Sequence, residues 1–360
     1  MAGTSPFHDR LQDLRDAAAY DPTVSFTAKN ERALADKLIL SFPYSRKKLY
    51  DNMAAGVISV FNDYPMRKDK AYAQSDLSGL IKNLKTGLPR KAPLYIRAGK
   101  SRTKYKVTVD ETIRKWQRGK AVFGVTDLHF RGTKFYDMVD AESLSYFNLL
   151  CDCPENVSFL EMLTLVISSK GIFSDSHSDD GDGSNHCFVG KKVWLAWDRA
   201  EGQKKGLEDC TYDNVMDQAA FDMDAFLSLR SSRWFVISEN ETLFMPGNFS
   251  HKVITIESYI GFGSFYVTMP GYLNTIKRWT LRDTSDVKGD FIKIMNKTVL
   301  SKLKRLRSAQ QRKQDELGLH YLKDALGSWS QDLAKPDVKR LSSNAVFTEF
   351  LNTATELLVK

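Results

Sequence analysis

The chain has 360 residues, a formal net charge of +8, and 42% hydrophobic residues. This length allows one large domain or two smaller ones with a sizeable buried core. No segment approaches the roughly 18 apolar residues of a membrane span, and no basic segment followed by an apolar one opens the chain, so we expect neither a transmembrane helix nor a secretory signal. The 4 cysteines are too few for a disulfide framework and predict a reducing compartment, the cytoplasm or the nucleus.

The first quarter of the chain, residues 1–92, is expected to be a helical region. Residues 1 to about 25 are polar and contain prolines, and we interpret them as a loosely tied arm. Apolar residues recur at helical spacing over residues 31–62, with an interruption at Pro43. A further helix is predicted from residue 75 and ends at Gly87.

The hydrophobic period then changes, and residues 93–275 are expected to form a β core. Alternating segments predict strands at 94–97, 105–109 and 121–130, with one short helix over 109–118. From about residue 159 to 267, short apolar segments are separated by Gly, Asp and Asn clusters. That pattern is typical of a jelly roll, so the predicted fold class is α+β with a double-stranded β-helix (cupin-like) core.

The C-terminal region, residues 276–360, is expected to be a helical bundle. Apolar residues from Ile292 to Leu306 form one stripe of a helix whose outer face is basic at Lys302, Lys304, Arg305 and Arg307. We expect the stripe to pack on the β core, and the same helices could in addition form a homodimer contact. A solvated basic face is the simpler interpretation than a nucleic-acid patch, since no RNA-binding aromatic motif or zinc knuckle accompanies it.

Three side chains of metal-ligand type stand out in the predicted β core. His177 and Asp179 follow a strand-like run over residues 163–167, and His251 begins another after a Pro–Gly turn. Two imidazoles and one carboxylate on neighbouring strands match the ligand set of non-haem Fe(II) oxygenases, which leaves three coordination positions open. The sequence therefore predicts that His177, Asp179 and His251 bind Fe(II).

The surroundings of these residues resemble the JmjC family of Fe(II)/2-oxoglutarate dioxygenases over roughly residues 140–270. The family shows H-x-D, then G-x-K-x-W, then a proline–glycine turn before a second histidine. Here the corresponding residues are His177-Ser178-Asp179, the segment from Gly190 to Trp194, and the turn before His251. The resemblance implies a cupin-like core, Fe(II) at the triad, 2-oxoglutarate as cosubstrate and O₂ as oxidant.

The resemblance also implies which residues bind the cosubstrate. The lysine of the G-x-K-x-W pattern falls on Lys192, which would pair with the distal carboxylate of 2-oxoglutarate. Lys191 is the competitor, because alternation along a strand directs only one of the two inward. Three hydroxyl and amide side chains match positions near the cosubstrate in the family: Ser174, Asn185 and Ser264.

These features predict an enzyme, an iron- and 2-oxoglutarate-dependent oxidoreductase that hydroxylates a C–H bond and releases succinate and CO₂. The expected substrate is a small molecule, an amino acid or a single side chain, because the flanks are plain helices without a zinc-finger array. The alternatives are a JmjC protein hydroxylase or lysine demethylase, and a non-catalytic binding scaffold. Neither a membrane nor nucleic acid is an expected partner of the protein.

Overall fold

The computed structural model describes a mostly antiparallel sheet flanked by helices. Every structural statement below concerns its described residues, which are 6–64, 77–88, 93–98, 104–119, 123–130, 133–134, 136, 163–179, 181–209, 221–268, 271–272, 274–275, 289–305, 320–321, 324 and 345–359. None of the helices in these ranges is long and apolar enough to cross a membrane.

The strands, in chain order, are β1 (Phe42–Pro43), β2 (Ser59–Asn62), β3 (Pro93–Ala98), β4 (Lys104–Thr108), β5 (Phe123–His129), β6 (Thr164–Ser168), β7 (Phe173–Ser178), β8 (Asp182–Asp198), β9 (Arg233–Ile237), β10 (Glu241–Met245) and β11 (Phe249–Tyr266). The helices are α1 (Pro6–Tyr20), α2 (Glu31–Lys37), α3 (Arg46–Ala55), α4 (Leu77–Gly87), α5 (Val109–Arg118), α6 (Arg199–Gln203), α7 (Met223–Ser228), α8 (Gly289–Arg305) and α9 (Ala345–Val359).

Two long strands, β8 and β11, organise the sheet. They pair antiparallel from Phe249 opposite Asp198 to Tyr266 opposite Asp182, with register shifts between Thr255 and Gly261. Before these shifts β11 pairs with β7, and the matching part of β8 pairs with β9. Beyond them β11 pairs with β6, and β8 pairs with β10. The result is one sheet of 11 strands in which β7 and β9 flank the first part of the β8–β11 pair, while β6 and β10 flank the second part and continue into β5–β3–β4 and β2–β1. This arrangement is compatible with a β-sandwich or jelly roll.

Gly190 lies at the bend of β8. Its φ of +90° is a left-handed conformation, and a Cβ there would lie 2.2 Å from the carbonyl oxygen of Ser258 on β11. Only glycine combines this backbone conformation with so close an approach of the neighbouring strand. The glycine of the G-x-K-x-W pattern therefore has a structural role in the bend.

One apolar cluster lies along the pair of β8 and β11. Its members come from β2, β8, β9, β10 and β11 and include Cys187, Trp194, Ala196, Phe235, Ile237, Leu243, Met245, Val253 and Tyr259. We call the face of the sheet that contributes these side chains the inner face. Since successive side chains alternate between faces, Val193, Leu195 and Ile254 belong to the opposite, outer face, where they pack with α1 in a second cluster.

The N-terminal segment is not the loose arm that the sequence predicted. It forms helix α1, whose Leu11, Leu14 and Ala17 are buried against the outer face of β8 and β11. A buried ion pair fixes its end, because Lys252 Nζ lies 2.6 Å from Asp21 Oδ2. Residue 6 is a proline, which a helix tolerates in its first turn, so it starts α1 rather than disrupting it.

Strands also occur in the region that was expected to be entirely helical. The predicted helical run over residues 31–62 divides into α2, β1, α3 and β2, and β2 extends the sheet by pairing with β10. In contrast, the predictions for α4, α5 and the strands β3, β4 and β5 are confirmed. Thr108 caps α5 by accepting a hydrogen bond from the backbone N–H of Glu111, and Gly119 ends it in a left-handed conformation.

In the C-terminal region, α8 and α9 pack together and reach the end of the β core through Tyr272. The Tyr272 hydroxyl donates a 2.6 Å hydrogen bond to Asn296 Oδ1 of α8, and its ring lies 5.3 Å from that of Phe350 on α9. Met295 and Val299 are buried and Lys304 is exposed. Leu306 and Arg307 of the predicted amphipathic stretch lie outside the described residues.

Candidate metal centre

The two predicted histidine ligands lie side by side on adjacent strands. His177 near the end of β7 pairs directly with His251 near the start of β11, and their ring centroids are 4.2 Å apart. His251 is opposite Ala196 and alternates with Val253, so both imidazoles belong to the inner face. His251 is 3% exposed. The Trp194 ring lies 5.4 Å from its own.

Backbone carbonyls fix the tautomers of both imidazoles. His177 Nδ1 lies 2.7 Å from the carbonyl oxygen of Asp175, and His251 Nδ1 lies 3.3 Å from that of Phe249. A carbonyl oxygen only accepts, so each Nδ1 carries a proton, and Nε2 is the nitrogen that offers a lone pair in the neutral form of the ring. Metal-binding histidines commonly donate their second N–H to a carbonyl in this way.

His251 is held in the neutral form that binds metal ions. Burial, together with the adjacent imidazole of His177, holds the pKa of His251 well below its ordinary value. The carbonyl of Phe249 and the carboxylate of Asp209 oppose this effect without overcoming it. A neutral imidazole with its Nε2 lone pair directed inward is a ligand for a divalent cation.

Asp179 completes the set of three residues, at a longer distance. Its Oδ2 lies 3.8 Å from His251 Nε2, and its side chain is 28% exposed. Two ligands that bind one ion at about 2.1 Å can be at most about 4.2 Å apart, so this separation is within reach of a shared ion. Across the described part of the chain, however, no three His, Cys, Asp or Glu side chains stand arranged to hold a metal ion.

The structure separates Lys192 from its competitor Lys191. Lys191 is on the outer face, where it pairs with Asp13 at 3.1 Å and Glu257 at 3.2 Å. Lys192 faces inward opposite Thr255, and its Nζ lies 4.4 Å from the centroid of the Tyr259 ring. Burial lowers the pKa of Lys192 to about 7. Lys192 is therefore the inward-facing lysine, a buried amine on the same face as His251.

A donor and a polar network lie beside Lys192. Trp194 Nε1 is buried and has no hydrogen-bond partner among the described residues. Two positions separate Trp194 from Lys192 on β8, so both belong to the inner face. The Tyr259 hydroxyl donates a hydrogen bond to Asn185 Oδ1. Asn185 therefore helps to fix the aromatic ring that contacts Lys192 Nζ.

The two predicted serines differ in position, because Ser174 is opposite Val253 of the inner face and Ser264 is not on that face. Ser174 Oγ accepts a 3.2 Å hydrogen bond from the backbone N–H of Val253, beside the bulge that follows His251. Ser264 pairs with Ser184, one position out of phase with the pair of Gly263 and Asn185. Alternation therefore puts Ser264 on the face opposite Asn185. His177, His251, Lys192 and Asn185 thus belong to one face of the sheet, with Asp179 Oδ2 3.8 Å from His251 Nε2, and Ser264 belongs to the other face.

Two acidic side chains form hydrogen bonds to the segments that contain the candidate ligands. The sequence did not identify either of them. Asp182 Oδ1 accepts a 3.0 Å hydrogen bond from the backbone N–H of Gly247, in the turn before His251. Asp209 Oδ2 accepts a 2.7 Å hydrogen bond from Ser178, between the two ligands of the H-x-D motif. Asp182 was one of several acids in a polar turn, and Asp209 lies in a loop without a motif, so no pattern distinguished them.

The sequence matches no protein-family model. A search of curated proteins also gives no match.

Proposed function

We propose that this protein is an Fe(II)/2-oxoglutarate-dependent dioxygenase with a jelly-roll core of the JmjC type. The observation that carries the proposal is the adjacent pair of inward-facing imidazoles, His177 and His251, on the same face as the buried Lys192. Two neutral nitrogen donors and the Asp179 carboxylate suit a divalent ion of the Fe(II) type. The proposal requires the Asp179 side chain to turn toward both imidazoles when the ion binds.

The inner face also carries two hydrogen-bond donors that suit an anionic cosubstrate, the amine of Lys192 and the indole N–H of Trp194. Lys192 Nζ is a buried amine, and a buried ammonium is costly without an anion. Trp194 Nε1 is a buried donor without a partner among the described residues, and such donors are expected to find an acceptor. The distal carboxylate of 2-oxoglutarate would satisfy Lys192, and a second oxygen of the ligand would accept from Trp194.

The spacing along the strands supports this division of roles. Lys192 is opposite Thr255, four positions after His251 on β11. At about 3.3 Å per residue this amounts to roughly 13 Å between backbone positions. A lysine side chain, a five-carbon dicarboxylate and a metal–ligand bond in series span such a distance. The metal would be held at one end of the pocket and the distal carboxylate at the other.

Each group then has a defined task in the reaction. Bound Fe(II), together with 2-oxoglutarate and O₂, would supply an oxidant for a substrate C–H bond, with release of succinate and CO₂. His177, Asp179 and His251 would hold the ion, and three protein ligands would leave coordination positions for the cosubstrate and O₂. Lys192 would orient the cosubstrate, and the apolar side chains of Trp194, Phe235 and Val253 on the same face would keep water away from the bound ligand. Positioning selects the C–H bond of a small molecule, amino acid or side chain.

The test separates metal binding, cosubstrate binding and turnover. His177→Ala, Asp179→Ala and His251→Ala are each expected to abolish Fe(II) binding and succinate release while the far-ultraviolet circular dichroism spectrum is retained. His320→Ala is the matched control, because His320 is an exposed histidine paired with Asp324. Lys192→Ala is expected to raise the KM for 2-oxoglutarate about tenfold or more, equivalent to about 1.4 kcal/mol. Lys191→Ala should leave that KM unchanged.

Wild-type succinate release by any of the three alanine variants with iron bound would remove that residue from the ligand set. A larger effect of Lys191→Ala than of Lys192→Ala would contradict the assignment of the cosubstrate pocket. Failure of the wild-type protein to bind Fe(II) or to release succinate from 2-oxoglutarate would refute the proposed function itself.

A further inference from the structure

The serine of the H-x-D motif is bonded to an acidic residue on the side of the sheet opposite the imidazoles. Ser178 lies between His177 and Asp179 and pairs with Ser250, while His177 pairs with His251. Since neighbouring residues of a strand point to opposite faces, Ser178 is directed away from the imidazoles. On that side its Oγ donates a 2.7 Å hydrogen bond to Asp209 Oδ2. The middle residue of the motif is therefore fixed to a loop that follows α6.

The same carboxylate is connected to the turn that precedes His251. Arg199 Nε lies 3.1 Å from Asp209 Oδ2, and the Asp209 side chain is 11% exposed. The backbone N–H of Arg199 donates a 2.9 Å hydrogen bond to the carbonyl oxygen of Asn248. Asn248 Nδ2 donates in turn to Asp198 Oδ2 at 2.9 Å. One continuous path of polar contacts thus runs from Ser178 to Asn248, three residues before His251.

The carboxylate of Asp209 is costly for the fold by itself. Its second oxygen, Oδ1, is buried and has no hydrogen-bond partner within the described residues. A buried polar atom without a partner is unfavourable, and an apolar side chain would fill the same space without that cost. The contacts of Asp209 Oδ2 with Ser178 Oγ and Arg199 Nε are the interactions that only a hydrogen-bond acceptor at this position can make, and the one with Ser178 reaches the H-x-D motif.

We propose that Asp209 is a positioning residue for the metal centre: through Ser178 it sets the direction of His177 and Asp179 relative to His251. This inference rests on the proposed function, since it assumes that these residues bind a divalent ion. Groups that orient metal ligands from behind typically contribute a factor of about 10 to 100 in metal affinity. Removing either end of the Asp209–Ser178 bond is therefore expected to weaken metal binding about tenfold or more.

The experiment measures the affinity of the full chain for Mn(II), a redox-stable substitute for Fe(II), by the loss of the free-ion electron paramagnetic resonance signal. The variants are Asp209→Ala, Ser178→Ala and the double variant, with His177→Ala as the reference for a lost ligand. If both residues act through one bond, the double variant should bind no more weakly than either single variant. The spectrum of bound Mn(II) should also change in the same way in both single variants.

A control separates positioning from general loosening of the loop. Leu207 is buried in the outer-face cluster two residues before Asp209. Leu207→Ala should lower the melting temperature and leave Mn(II) affinity unchanged, whereas Ser178→Ala should lower Mn(II) affinity with a smaller change in melting temperature. Equal weakening of Mn(II) binding by Leu207→Ala would assign the effect to loop packing and overturn the inference.

The remaining outcomes distinguish this inference from the function on which it rests. If the wild type binds Mn(II), His177→Ala does not, and Asp209→Ala binds as tightly as the wild type, the inference is wrong and the metal centre stands. If His177→Ala binds Mn(II) as tightly as the wild type, the metal centre and the inference fail together. If Asp209→Ala does not fold, Ser178→Ala decides, and wild-type affinity in that variant overturns the inference.

Discussion

Replacing Lys192 by methionine is expected to stabilise the ligand-free protein. Burial lowers the pKa of Lys192 from 10.5 to about 7. Each pKa unit corresponds to about 1.4 kcal/mol, so protonated Lys192 costs about 5 kcal/mol in the folded protein relative to the unfolded chain. Between pH 7 and 10.5 the unfolded chain holds this proton and the folded protein has lost it. The cost is therefore complete below about pH 7 and disappears as the pH rises toward 10.5.

Urea unfolding of the wild type and Lys192→Met, near pH 7 and near pH 10, tests this reasoning. Methionine is expected to raise the free energy of unfolding by about 4 kcal/mol near pH 7 and by only about 1 kcal/mol near pH 10. Other groups titrate over this range, but they do so in both proteins and cancel in the difference. Lys191→Met is the control, because Lys191 already pairs with Asp13 and Glu257 on the outer face, so its replacement should not stabilise the protein at either pH.

The cosubstrate gives the second half of the test. At a concentration of 100 times its dissociation constant for the wild type, 2-oxoglutarate should stabilise the wild type by about 2.7 kcal/mol, and it should stabilise a Lys192→Met variant that binds it tenfold more weakly by only about 1.4 kcal/mol. A methionine variant that is less stable than the wild type by the same amount at both pH values would refute the reasoning. Lys192 would then already be paired with an anion in the free protein.

Three further predictions concern the scaffold around the candidate site. Lys252→Met leaves Asp21 as a buried charge without this ion-pair partner and should lower the free energy of unfolding by about 3–5 kcal/mol. Adding Asp21→Asn should restore part of the lost stability, and urea unfolding of both variants measures the change. Gly190→Ala should cost about 2–4 kcal/mol in the same assay because of its φ and the nearby Ser258 carbonyl, whereas Gly206→Ala, with a similar φ and open space, should cost about 1 kcal/mol. Truncation after residue 270 should give an insoluble protein, since Tyr272 and its contacts with α8 and α9 are lost; a soluble, monomeric product in gel filtration would contradict this.

The sequence predicted the segments whose local signals agree with their surroundings. Helix α5 has a threonine cap, an apolar stripe and a terminal glycine, so its bounds could be placed before any tertiary contact was known. The inward histidine pair also followed from a pattern, because His177 and His251 each adjoin a strand-like run. Each of these predictions needed only the residues within a segment or directly beside it.

Other features depend on contacts between distant segments. Helix α1 was interpreted as an arm because its segment is polar and contains prolines, and only packing on the outer face of β8 and β11 accounts for its burial. Strand β2 has apolar residues that fit a helix and a strand equally well, and pairing with β10 determines the outcome. Alternation shows that Lys191 and Lys192 point to opposite faces of β8. It does not show which of these faces is the inner one, so the choice between the two lysines needed the structure.

The long pairing of β8 with β11 has a consequence for the order of events in folding. The strands that carry the candidate ligands, β7 and β11, are separated in the chain by β8, β9 and β10, and both β9 and β10 pair with β8. Contacts between residues this far apart in sequence close large loops, which makes folding slow. A divalent ion cannot bind at the proposed centre until β7 and β11 are in register. It is therefore expected to slow unfolding while leaving the refolding rate unchanged.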